Sequence, residues 1–365
     1  MSAQPLLIQE LAVRAFRNLA SVDMRPSPRF NVLFGDNGQG KTNLLEAVYA
    51  LATSKSFRAQ KPGELVMHDV DAANVRARLE SLGLTSDRSL GLAPAVRSAR
   101  VDGKRPSNLA EFARSCPVVL FHPGELSLSI GPAAPRRTLL DRLGLYLNPS
   151  TLTELANYTR AVRSRQKLLE TRGIHAREIG DFEVLIAQHG ARVAEARRRA
   201  TQALIPSALE AFARIADPKL HFELSYREGG PEDEQELLRA FADNRAVDLR
   251  RGGATVGPHK CDLELTLGGR LARSTASQGQ HRAMVLSLKA AEITVVSAAT
   301  LRRPILLLDD VSSELDPTRT VSLFSFLQDS PGQVFLTTTR RELIDTGANA
   351  ERADFRVSQG HIERA

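Results

Sequence analysis

The spacing of apolar residues changes period several times along the chain. Over residues 6–15 apolar and polar positions alternate, as in a half-buried strand, and 30–34 is a short apolar run that ends at Gly35. Over 42–53 the period becomes helical, with Leu44, Leu45, Val48 and Leu51 on one face. The order is therefore strand, glycine loop, helix. Residues 64–121 read as short strands with turns, among them 75–79 and the Asp102-Gly103 turn, and end in the buried-strand candidate Val118-Val119-Leu120-Phe121, stopped by Pro123-Gly124.

From about 135 to 215 the pattern is helical, carried by 151–171 and 181–215 with arginines opposite the apolar face. The acidic, glycine-containing stretch 226–236 reads as a loop, 263–267 alternates like a strand, and 280–299 is helical. Pro304 introduces a strand over 305–308, and 334–336 is another. No internal repeat or low-complexity segment interrupts this order.

Composition narrows the class. With 365 residues, 42% hydrophobic and 25% charged, the chain can build a normal soluble core without disulfides. Its two cysteines, Cys116 and Cys261, have neither a zinc spacing nor the pattern of a disulfide framework. Residues 1–9 lack a basic segment followed by a long apolar one, and no apolar run approaches the ~20 residues of a membrane span, so a cytoplasmic protein with no membrane partner is expected. A net charge of +7 suits a polyanionic partner.

Three motifs carry chemistry. Gly35-Asp36-Asn37-Gly38-Gln39-Gly40-Lys41-Thr42 fits the phosphate-binding pattern G-x-x-x-x-G-K-[ST]. Its backbone amides turn toward phosphates, Lys41 reaches the β- and γ-phosphates, Thr42 ligates Mg²⁺, and the helix that starts there, Asn43 included, directs its positive end at the same anion. Leu306-Leu307-Leu308-Asp309-Asp310 is an apolar strand ending in two carboxylates. Beside a phosphate loop, Asp309 would hold Mg²⁺ and Asp310 would orient the attacking water, with Lys41 and Asp310 as the catalytic pair. Ser277-Gln278-Gly279-Gln280 precedes a helix and offers a second anion site, although serine before a helix is often only its cap.

The chain order of these motifs, followed by Ser313-Glu314-Leu315-Asp316, is that of ABC-type ATPases. In that class Ser277, Gln278, Gly279 and Gln280 form the signature motif, which completes the ATP site of a second copy. More specific segments are Phe16-Arg17-Asn18, Lys41 to Ala47, Ser56-Phe57-Arg58, Phe121-His122-Pro123, Pro135-Arg136-Arg137, Gly257-Pro258-His259-Lys260, Ala276 to Arg282 and Thr337-Thr338-Thr339. On these the chain resembles the RecF family of DNA replication and repair proteins over nearly its whole length. The resemblance implies an α/β P-loop ATPase head similar to those of Rad50 and SMC proteins. Lobe I (1–120 and 300–365) would be mixed α/β; lobe II (121–299) would be mainly helical and carry the signature motif. Two helices of roughly 20 to 35 residues, about 30 to 50 Å long, make a short arm and no long coiled coil.

The resemblance further implies an ATP-dependent homodimer, binding of double-stranded and gapped DNA, weak DNA-stimulated ATP hydrolysis with Mg²⁺, and cooperation with RecO and RecR in placing RecA. Two segments depart from the family's usual pattern, Gly124-Glu125 after Phe-His-Pro and Lys260-Cys261-Asp262 after Gly-Pro-His; Thr338 stands where ABC transporters carry a switch histidine.

For DNA, the candidate cations are Arg160, Arg163, Arg165, Lys167 and Arg172, then Arg192, Arg197, Arg198 and Arg199, set against a solvated face with pairs such as Glu195–Arg199. Aromatics make up 5% with no Trp, which favours contacts to duplex backbone over base stacking. Two other classes share the ATPase motifs: an ATP-binding subunit of an ABC transporter, and a scaffold that binds ATP without cleaving it. The RecF-like segments and basic balance argue against the first, Asp309 and Asp310 against the second.

Overall fold

The computed structural model describes residues 3–216, 219–310, 332–347 and 350–365. It divides into two compact units, Met1–Glu125 with Glu292–Ala365, and Leu126–Ala291.

The first unit holds two sheets. Among its described residues the parallel sheet runs His361–Arg364, Arg352–Ser358, Phe30–Phe34, Val334–Thr338, Ile305–Leu308, Val118–Phe121, with only the His361 edge strand antiparallel. Its central strands are continuously buried, as strands covered on both faces must be. The second sheet is an antiparallel meander of Gln4–Phe16, Ala73–Ser81, Leu84–Ala93 and Val96–Val101, with Leu19–Met24 folded back on the first strand and Arg302–Arg303 beside it. Where the pairing of Gln4–Phe16 shifts register between Ile8 and Glu10, the buried Gln333 side chain takes the place of a strand neighbour. Its amide accepts from the Ile8 N–H at 2.7 Å and donates to the Ile8 carbonyl at 3.0 Å, which ties the two sheets together.

The helix Lys41–Thr53 packs into the core formed with strands of both sheets. It buries Leu44, Leu45, Glu46, Ala47, Val48, Ala50, Leu51 and Ala52, so its apolar surface is wider than the single face read from the sequence. Buried Arg88 closes its far end, donating to the Leu51 and Ala52 carbonyls at 2.8 Å each while its guanidinium lies 3.5 Å from the Phe112 ring centroid.

The second unit is mainly helical. Thr151–Arg172 and Ile179–Ile215 pair side by side, the longer with 37 residues, about 55 Å at 1.5 Å per residue. A small sheet, Arg270–Leu271, Asp262–Leu267, Phe222–Arg227, accompanies them. The stretch 226–236, read above as loop, is shorter in the structure: the strand reaches Arg227 and a helix begins at Glu234, capped by the Asp233 carboxylate.

One further correction concerns Gln278–Thr300. This 23-residue helix is, among the described residues, the one long and apolar enough by composition to cross a bilayer, contrary to the sequence reading. Its apolar window is 72% buried within the protein, and Lys289 and Glu292 lie in its interior, so it is a core helix.

Candidate nucleotide site

The glycine loop leaves the strand Phe30–Phe34 at Gly35 and enters the helix at Lys41. Gly35 has φ 148°, and a Cβ there would lie 2.3 Å from the Val357 carbonyl oxygen. Gly40 has φ 115°, and a Cβ would press on the Asn18 amide at 2.8 Å. Both positions need glycine for backbone conformation and for close approach. The loop is also held from outside. The Gln39 carbonyl accepts from Asn18 Nδ2 at 3.2 Å and from the Gly360 N–H at 2.9 Å, the Gln39 amide oxygen accepts from the Gln359 N–H at 2.6 Å, and Asn43 Nδ2 donates to Asn18 Oδ1 at 2.7 Å. Asp36, Asn37 and Gly38 are exposed at the tip.

Buried Lys41 folds along the loop and donates to the Gly35 and Asp36 carbonyls at 2.6 and 2.8 Å. Burial pushes its pKa below the usual lysine value, against the opposing pull of Asp310, Asp309 and Asp36. Thr42 Oγ1 donates to Asp309 Oδ1 at 2.7 Å, which joins the loop to the end of the acidic strand. Thr337 Oγ1 donates to the same Asp309 oxygen at 2.9 Å and accepts from the Asp310 N–H at 2.8 Å. The Asp309 N–H is held by the Phe121 carbonyl at 2.8 Å, and Asp310 adopts a left-handed φ of 49°. Lys41, Thr42, Asp309 and Asp310 thus lie together at the end of the glycine loop.

The oxygens of Thr42 and Asp309, 2.7 Å apart, form a hard-donor pair suited to Mg²⁺, which takes one or two protein oxygens and completes its octahedron with phosphates and water. No cluster of three or more His, Cys, Asp or Glu side chains positioned to hold a metal occurs among the described residues.

Two contributors were not assigned a role from the sequence. Thr337 bridges the acidic pair, whereas Thr338, the residue at the switch position, turns its hydroxyl to the Arg340 backbone. Strand alternation separates them, and only the strand's pairing partners fix which parity faces Asp309. Glu46, fully buried on the loop helix, accepts from Arg17 at 3.0 Å through both oxygens and also from Arg58 and Ser56. Burial raises its carboxyl pKa, but these bonds outweigh burial and hold it below the usual range. Arg17, Ser56 and Arg58 belong to segments that the family resemblance singled out, and here they anchor the helix that carries Lys41 and Thr42.

The signature candidates lie in the second unit. Ser277 and Gln280 form a reciprocal capping box: the Ser277 N–H donates to Gln280 Oε1 at 2.8 Å and the Gln280 N–H to Ser277 Oγ at 3.3 Å. Ser277 and Gln278 are exposed, Gly279 and Gln280 half-buried. Just behind them, buried His281 Nδ1 hydrogen-bonds Ser129 Oγ at 2.6 Å, and burial lowers its pKa. Residues 311–316, with the second acidic motif Ser313-Glu314-Leu315-Asp316, lie outside the described residues.

The candidate DNA cations divide sharply. Arg165 is buried, bonded to Glu183 at 2.9 Å and Asp248 at 2.8 Å, and Arg197 is buried against Asp141 at 2.7 Å, so neither reaches a phosphate. Arg172, Arg192, Arg198 and Arg199 are paired with Glu178, Glu154, Glu195 with Glu232, and Glu195 respectively. Arg160, Arg163 and Lys167 are exposed and enter no ion pair among the described residues.

The family model for the RecF/RecN/SMC N-terminal domain matches residues 7–90. A DNA replication and repair protein RecF from Anaeromyxobacter sp. (strain Fw109-5) is 41% identical over 96% of this chain and 97% of its own. The solved RecF-ATP of the RecFOR pathway superposes with a TM-score of 0.89 at 25% identity over 100% of this chain and 99% of its own. The Smc head domain of Pyrococcus furiosus reaches 0.55 at 15% identity over 99% and 96% of the two chains, a likeness of fold. The phosphate loop joined to paired aspartates on an SMC-type head, with two-fifths identity along almost the entire length, places this chain in the RecF family of DNA replication and repair proteins.

Proposed function

We propose that the protein is an ATP-operated DNA clamp of recombinational repair and replication. ATP joins two copies across duplex or gapped DNA, slow hydrolysis releases them, and the bound dimer cooperates with RecO and RecR in loading RecA. The observation that carries the proposal is the Thr42–Asp309–Thr337–Asp310 chain of hydrogen bonds at the mouth of the glycine loop. It joins the glycine loop, the Thr42 and Asp309 oxygens and the Asp310 backbone, and this supports reading the neighbourhood as a site for phosphoryl transfer to water.

In this reading the amides of Gly35 to Thr42 and the Lys41 ammonium bind the triphosphate. Thr42 and Asp309 would hold Mg²⁺, which would neutralise charge on the bound phosphates. Asp310 accepts the proton of the attacking water. Aspartate is one methylene shorter than glutamate, so it reaches that water less well and turnover is slow. The exposed Ser277 to Gln280 cap supplies its hydroxyl, its amides and a helix N-terminus to the γ-phosphate of a second copy.

Phosphate release with and without duplex DNA tests the enzymatic part: stimulation that vanishes in Lys41→Ala is expected. ATP binding without any hydrolysis, with DNA present, would leave only the scaffold reading.

A further inference from the structure

In the second unit an open cleft of about 730 Å³ is lined by Arg227, Glu228, Gly229, Arg251, Gly252, Gly253, Thr255 and Lys260. Arg251 and Lys260 are exposed and enter no ion pair among the described residues, and Arg227 has only a distant partner, Glu264 at 3.9 Å. Three cations thus face one acid, Glu228, which itself lies 4.0 Å from Arg198.

The walls are fixed before any ligand arrives. The Asp248 carboxylate is buried against Arg165 at 2.8 Å and accepts from both the N–H and the hydroxyl of Thr255 at 2.9 and 2.7 Å, while the Gly253 N–H reaches the Asp248 carbonyl at 3.1 Å. The opposite wall is pinned where the Gly257 N–H donates to the Gly229 carbonyl at 3.0 Å; a Cβ on Gly229 would fall 2.3 Å from the Gly257 oxygen. Of the Gly-Pro-His-Lys segment, Gly257 belongs to this network and Lys260 lines the cleft.

We infer that the Arg227–Arg251–Lys260 cleft is a preformed seat for nucleic-acid backbone phosphate. The inference rests on the DNA-binding reading above and assigns to it a surface. A phosphate backbone fits better than an acidic peptide, because the lining holds charges, glycines and one threonine but no apolar wall to grip side chains.

The test is duplex affinity of the full-length protein with ATP, measured across a salt series, for the wild type, for the Arg227→Ala/Arg251→Ala/Lys260→Ala triple variant, and for Lys260→Arg. The triple variant should bind duplex about tenfold or more weakly at moderate salt, and its log–log salt slope should fall by roughly 1 to 2, near 0.9 per phosphate released. ATP affinity should be unchanged, and Lys260→Arg should behave as the wild type. Wild-type affinity and slope in the triple variant, with duplex bound normally by the wild type, would overturn the seat alone. A wild type that binds no duplex at any salt would remove the DNA reading and the seat together. Loss of polyglutamate binding without loss of duplex binding would assign the cleft to an acidic protein and overturn the proposal.

Discussion

At the scale of single residues, charge is the quantity the sequence represents least well. Arg165 and Arg197 read as surface cations, yet they sit on the buried stripes of their helices. Arg165 lies between Ala161 and Leu169, and Arg197 between Val193 and Ala200. Position on the stripe was a signal that periodicity alone contained; the acids that neutralise them come from distant segments and were invisible. Arg165→Ala should destabilise the fold by about 3–5 kcal/mol in denaturant melts, since it leaves the buried Asp248 carboxylate without its cation and Glu183 with Arg245 alone. Arg163→Ala, on an exposed position, should shift stability by no more than ~0.5 kcal/mol. Glu46 gives a pH prediction. Its folded pKa lies below the ordinary 4.5, so its stabilisation is complete above that value and is lost as pH falls through the depressed one. Between about pH 5 and 3 the melting temperature of the wild type should therefore drop more steeply than that of Glu46→Gln. Equal slopes would show that Arg17 and Arg58 do not hold the carboxylate charged. For Asp310, replacement by Glu should speed single-turnover hydrolysis, and by Asn should preserve ATP binding while prolonging the ATP-bound dimer.

Among elements, those with strong local chemistry were legible. The glycine loop and its helix, the strand Val118–Phe121 ended by proline, and the apolar strand Ile305–Leu308 all follow from period and turn residues. The strands Arg352–Ser358 and His361–Arg364 were not read, although Ala353, Phe355 and Val357 alternate and Gln359-Gly360 makes the turn. They matter, because that turn holds Gln39 of the loop. The cap at Ser277 served both readings in the sequence, and the structure bears on the first of them: the hydroxyl accepts from the Gln280 N–H at 3.3 Å at an exposed helix end. Ser277→Arg should cost about 1 kcal/mol of helix stability. It should leave ATP binding by the single chain intact and abolish ATP-dependent association in sedimentation velocity. A dimer that persists would separate the cap from the interface.

For the whole molecule, the α/β ATPase head was legible because its motifs occur in a fixed order, and the second unit's small sheet was less so, because Phe222–Arg227 adjoins a glycine-rich acidic turn that dominates the local pattern. With most arginines of the arm consumed by ion pairs, the proposed DNA binding would rest on a smaller set of free cations, and its affinity should fall steeply between 50 and 200 mM salt, on the order of 10³-fold if six phosphates are engaged. In the proposed dimer the signature cap of one copy completes the glycine-loop site of another. This pairing is tested most directly by mixing Lys41→Ala with Ser277→Arg in ATP and following mass by light scattering. Each variant alone should stay monomeric. The mixture should form a heterodimer, because one of its two composite sites keeps an intact lysine and an intact serine; a mixture that remains monomeric while wild type dimerises would contradict the account.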